Sequence, residues 1–176
     1  MSNFTDYIGS GGGSTLETII LTTSQTWTPP VNGTGVIHVI GGGASGSGTS
    51  PYHAGGAGGY ARKAVTFATG TNWTVVVGAG GQTTSTNSAI VAGGNSSATD
   101  GSSTLTANGA ASRAGGAATG GDVSFTGGSG SDARNAGGGG AVGVFANGST
   151  TGSVSGGQDT DANGGADSFI ALGLGQ

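Results

Sequence analysis

Large apolar residues fall in short runs, each bounded by Gly, Asn, Asp, Ser or Pro. Four runs have β-type composition: Thr18–Thr23, Gly35–Ile40, Tyr60–Phe67 and Asn72–Val77. Weaker ones lie at Ser88–Val91, Ser103–Thr106, Asp122–Thr126 and Ala141–Ala146. In Gly35–Ile40 both alternating sets carry bulk: Val36, His38 and Ile40 against Ile37 and Val39. That pattern predicts a strand buried on both faces, with His38 as a satisfied core residue. Trp27 and Trp73 sit beside strand residues and are expected in the core. No helical apolar period survives the glycines, each of which costs a helix about 1 kcal/mol relative to Ala. The prediction is an all-β chain, a small β-sandwich-like domain with long glycine-rich loops.

Those connections span residues 41–59, 114–121, 127–140 and 148–165. Related phrases recur in them (Ala54-Gly-Gly-Ala-Gly-Gly59, Ala136-Gly-Gly-Gly-Gly140), but at uneven spacing, which excludes a regular solenoid. Glycine segments can pack as extended left-handed helices with three residues per turn, bonded main chain to main chain. Such polyglycine helices are expected in the C-terminal half. That half is poor in core material: 24 apolar residues larger than Ala fall in residues 1–92 and 11 in 93–176. Ordering its glycines carries a high entropic cost. It must therefore pack on the first half or on another copy, which predicts a homo-oligomer. The expected organisation is an N-terminal arm and linker (1–15), a β-rich domain (16–108) and a glycine-rich region (109–176).

Composition removes several function classes. Of 176 residues 43 are Gly, only four are basic and eight acidic, and Cys is absent. Four cations cannot neutralise a phosphate backbone, so nucleic-acid binding is not expected. No run approaches a membrane span, and the first residues lack a basic flank or an apolar core, so neither membrane insertion nor a signal peptide is expected. Disulfides and Cys-based metal sites are impossible.

Candidate chemistry is sparse. Gly41, Gly43 and Gly46 follow a strand in dinucleotide-fingerprint register. Pro51 follows where a helix should run, and no Asp or Glu occurs between Glu17 and Asp100, so no cofactor is expected. The lone Lys63 lacks P-loop neighbours. Asp159, Asp161 and Asn163, with Asp167 at the ninth position, resemble the first half of a calcium loop. Ile170 stands where its bidentate Glu belongs, so Ca²⁺ is a candidate only through these four residues. Neither His38 nor His53 has an acid nearby in sequence, and catalysis is not expected. Tyr52, His53, Tyr60, Arg62 and Lys63 cluster in and beside a glycine loop. Aromatic faces stack on sugars or apolar patches and the cations pair with anionic groups, which makes these five the candidate binding residues. Phe4, Tyr7 and Ile8 precede a Gly-rich hinge and read as a docking arm.

Trp27-Thr-Pro-Pro30, the strand to Ile40, Gly41-Gly-Gly43, then Gly55-Gly-Ala-Gly-Gly-Tyr-Ala61 and Asn72-Trp-Thr-Val-Val-Val-Gly-Ala-Gly-Gly81 occur in that order. Together they resemble glycine-rich domains of bacteriophage tail-fibre and receptor-binding adhesin proteins. The resemblance covers residues 27–81 by motif and the rest by composition. It implies a virion protein, a homotrimeric fibre or spike on a tail fibre, tail tip or capsid. The arm would attach it to other virion proteins, and its loops would bind a bacterial surface glycan or outer-membrane protein. The alternative is a purely structural virion component, a capsid decoration or head fibre without a receptor.

Overall fold

A computed structural model describes residues 18–47, 53–82, 89–131, 138–142 and 145–148. Among them are eight strands and no helix: β1 (Gln25–Trp27), β2 (Gly33–Ile40), β3 (Tyr60–Phe67), β4 (Trp73–Val76), β5 (Ser96–Thr99), β6 (Thr104–Ala107), β7 (Ala118–Thr119) and β8 (Val123–Phe125). They form two antiparallel sheets, ordered β1-β4-β5-β6-β7 and β2-β3-β8. The all-β expectation holds.

Alternation explains how the sheets face each other. Ile37 and Val39 of β2, with Ala61, Val65 and Phe67 of β3, point inward onto Trp73, Val75, Ala98, Leu105 and Ala107. Leu105, Ala61 and Ala107 are wholly excluded from solvent. The interior tapers. At one end Phe67 sits edge-on between Trp27 and Trp73, with ring centroids 5.2 and 5.8 Å away. At the other end the inward residues shrink to Ala61, Ser96, Ala98, Ala107 and Ala118.

Beyond the small end the strands do not stop; they become glycine segments in unchanged register. The β2–β3 pairing continues through Gly41 N–H to Gly59 O, Ala44 N–H to Gly56 O and Ser47 N–H to His53 O, each 2.9 Å. The β3–β8 pairing continues through Ala57 to Gly128 and Ala54 to Ser131. The β4–β5, β5–β6 and β6–β7 pairings continue through Gly94 to Ala79, Gly93 to Ala110 and Asn108 to Ala117. What changes is the period. Residues 41, 44 and 47 bond to the β3 extension, 42 and 45 donate across to Gly94 and Val91 of the other layer, and Gly43 O accepts from Gly81. Three directions in three residues is the repeat of an extended threefold helix.

The two layers, held about 10 Å apart by side chains in a sandwich, thus close to hydrogen-bond distance. Gly42 N–H to Gly94 O, Gly59 N–H to Asn108 O and Gly116 N–H to Ala57 O, at 2.8–2.9 Å, join one layer to the other. Glycine is needed here for proximity. Positive φ occurs only at the turn glycines Gly70, Gly101 and Gly120 among the described residues. A Cβ on Gly59 would stand 2.5 Å from Ala117 O, inside any normal contact.

Several expectations are corrected. Residues 18–23 form no strand; β1 begins at Gln25, where pairing with β4 starts. Residues 89–91 belong to the glycine assembly, and the strand lies further on at Ser96–Thr99. Its Ser and Ala carry no apolar bulk because they fill the narrow part of the wedge. The run at 141–146 forms no strand among its described residues, with only an isolated bridge at Ala146. The glycine helices are not confined to the C-terminal half: segments 41–47, 54–59, 78–81 and 91–94 belong to them equally. Finally, β2 is buried on one face only. Val36 and Ile40 are 53% and 66% exposed, and His38 is exposed beside them.

Gly59→Ala is expected to lower stability by at least about 2 kcal/mol, since the backbone it would strike cannot move without breaking cross-layer bonds. Gly80 has an ordinary φ and nothing within 4 Å of a built Cβ. Gly80→Ala should be neutral or stabilising by up to about 1 kcal/mol. Chemical denaturation of the two variants checks the pair; equal effects would mean that close approach is not what selects glycine.

Candidate functional site

The β2–β3–β8 register gathers chemistry that is scattered in sequence. His38 pairs with Arg62, Ile40 with Tyr60, Tyr60 with Phe125, and Arg62 with Val123. Alternation puts His38, Tyr60, Arg62, Val36 and Ile40 on the outer face. There Tyr60 Oη lies 2.7 Å from His38 Nδ1, and the Tyr60 ring stacks on Phe125 at 6.3 Å and 10°. The Arg62 guanidinium stands 6.0 Å from the ring centroid of Phe145, which is 72% exposed. The result is a cation against one exposed ring, Phe145, with the His38 imidazole and the buried Tyr60 phenol nearby on the same face.

The electrostatics follow from this crowding. Desolvation, and then the Arg62 charge, lower the His38 pKa below its ordinary 6.5. Desolvation raises that of Tyr60, partly offset by Arg62. Both groups are neutral near pH 7. In the Nε2–H tautomer of His38, Nδ1 accepts the phenol proton.

The five candidate binding residues separate. Tyr60 and Arg62 share the outer face. Lys63 takes the opposite face, in register with Ile37. Its charge reaches the β5–β6 turn, where it adds to the lowering of the Asp100 pKa. The main cause there is donation by Ser103 and Ser102 N–H to Asp100 Oδ1, at 2.6 and 2.9 Å. His53 closes the end of the β2–β3 extension, donating its N–H to Ser47 Oγ at 2.8 Å and accepting from Ser47 N–H. Tyr52 lies outside the described residues, as do Phe4, Tyr7 and Ile8 and the calcium candidates Asp159, Asp161, Asn163 and Asp167. Among the described residues no three His, Asp or Glu groups gather as metal ligands.

Sequence reading missed three contributors. The bulky apolar neighbours of His38 on both alternating sets predict a core position for it, whereas its face is the exposed one. One polar residue between Val36 and Ile40 was the signal that their face is the outer one. Phe125 and Phe145 come from glycine-rich regions, and nothing local marks them as neighbours of Tyr60 and Arg62.

A family model described as a glycine-rich domain matches residues 18–175. The chain belongs to this glycine-rich domain family. No curated protein and no solved structure matches it. The match runs through both sheets and every described glycine segment, so sandwich and glycine bundle fall within one family domain.

The lowered pKa of His38 gives pH dependence a sign. The unfolded chain binds this proton more readily than the folded one. The stabilisation from neutral His38 is therefore complete above about pH 6.5 and is lost as pH falls below it. NMR titration should put the His38 midpoint below 6.5, and His38→Gln should flatten the stability profile between about pH 6.5 and 5. A midpoint at or above 6.5 would contradict the site geometry.

Proposed function

We propose that this protein is a non-enzymatic surface component of a bacteriophage virion, a fibre or spike protein that binds the host surface. The observation that carries the reading is the outer face of β2–β3–β8. Arg62 stands against exposed Phe145, with Tyr60 and His38 adjoining. An aromatic face stacks on a sugar ring while a guanidinium takes up carboxylate or phosphate in two-point geometry. That chemistry suits an anionic bacterial surface glycan. The ordered motifs over residues 27–81 support the virion setting through their resemblance to tail-fibre and adhesin domains. Main-chain bonding in the glycine bundle supplies a rigid mount, which keeps the entropic cost of binding low.

A second reading, a structural virion component without a receptor, is favoured by Val36 and Ile40. Their exposure on the same face suits contact with a protein neighbour.

Binding of the labelled protein to host cells separates the two. The adhesin reading expects saturable binding that Arg62→Ala and Phe145→Ala each weaken by about tenfold or more, as central contacts do. Gold-labelled antibody should then mark the ends of fibres or spikes on intact particles. Absence of cell binding, with label spread over the capsid, would favour the structural reading. Particles with no label would overturn both.

A further inference from the structure

We infer that the free edge of β2 joins two copies of this chain into one continuous sheet. Among the described residues β2 pairs on one side only, with β3. The direction of its backbone groups follows from the ends of the ladder. Gly41 N–H donates to Gly59 O towards β3, whereas Ala64 N–H, opposite Val36, turns away to Asp122 Oδ2. Alternation therefore aims the N–H and C=O of Gly35, Ile37 and Val39 at β3. Those of Thr34, Val36, His38 and Ile40 point to the open edge. None of these edge groups takes part in a backbone bond among the described residues.

An open edge is a template for another strand, and natural sheets protect it with charge, proline, a bulge or short length. β2 has none of these. It runs for eight residues, carries no Asp, Glu, Lys, Arg or Pro, and exposes Val36 and Ile40. Length selects the occupant. The other edge strands, β1, β7 and β8, have three, two and three residues. Among the described residues the only edge that matches β2 over its length is β2 of a second copy. Antiparallel pairing about a two-fold axis at Ile37 sets Thr34 opposite the partner's Ile40 and Val36 opposite the partner's His38. Each edge N–H then meets a C=O, and the exposed apolar residues of the two copies become neighbours on one face. The contact is isologous and closes at two chains. It is independent of the virion reading.

Sedimentation equilibrium of the full chain over a concentration series tests this, with Val36→Pro and Val36→Lys as variants. Among the described residues the Val36 N–H serves no backbone bond, so proline removes an edge donor while leaving the β2–β3 ladder intact. Lysine charges the edge without touching the backbone. The wild type should sediment as a dimer at the upper concentrations, and each variant that keeps the wild-type melting profile as a monomer. Amide exchange gives a second readout. Thr34, Val36, His38 and Ile40 should gain protection as concentration rises, while Gly35, Ile37 and Val39 are protected throughout. A wild type that stays monomeric, a trimer, or a dimer that persists in a folded variant would overturn the inference. If Val36→Pro unfolds, Val36→Lys and the exchange pattern decide.

Discussion

Everything distinctive in this fold depends on two β-layers being able to touch backbone to backbone. Cross-layer bonds such as Gly42 to Gly94 and Gly59 to Asn108 need a separation that a single Cβ would prevent. An ordinary sandwich keeps its layers apart with side chains and gains stability by hiding those side chains from water. Here that arrangement holds only at one end. From Trp73 and Phe67 the interior narrows through Leu105 to Ala61 and Ala107, and then to glycine. Hydrophobic burial gives way along a single axis to main-chain hydrogen bonding.

That gradient resolves the energetic problem the composition poses. Ordering many glycines is costly in entropy, and little apolar surface is available to offset it. The bundle offsets the cost differently, by satisfying buried N–H and C=O groups in several directions. Side chains fill the gaps where the pattern breaks. Ser45 Oγ accepts from Val91 N–H, Ser96 Oγ from Gly78 N–H and Asn95 Oδ1 from Gly109 N–H. Because register is inherited from the strands, the aromatic end of the sandwich fixes the alignment of segments that have no side chains to align themselves. In turn the bundle holds β2 and β3 in the register that sets Arg62 beside His38 and Tyr60 against Phe125.

Much of this was legible before the structure. The strands Tyr60–Phe67 and Trp73–Val76, the core placement of Trp73 and the all-β class follow from β-branched and aromatic runs between glycines. Of the candidate site, Tyr60 and Arg62 were found because aromatics and cations are rare in this chain. Their companions were not, since His38 and Phe125 reach them only through strand pairing. β5 went unseen because Ser-Ser-Ala-Thr has no apolar signature, its inward residues being small to suit a narrow place.

By itself the sequence determined the kind of backbone the described residues have: extended, with no helix among them, and with glycine at many of the points where two segments lie close. It also determined where bulk is available to start a core. Only the tertiary structure decided which segments meet, that both halves contribute to the glycine bundle, and which face of β2 is left open. The reason is physical. Side-chain bulk and alternation are local properties that a short window reveals. A glycine's partner, by contrast, is chosen by register passed down from distant strands, and glycine carries no side chain that could announce it.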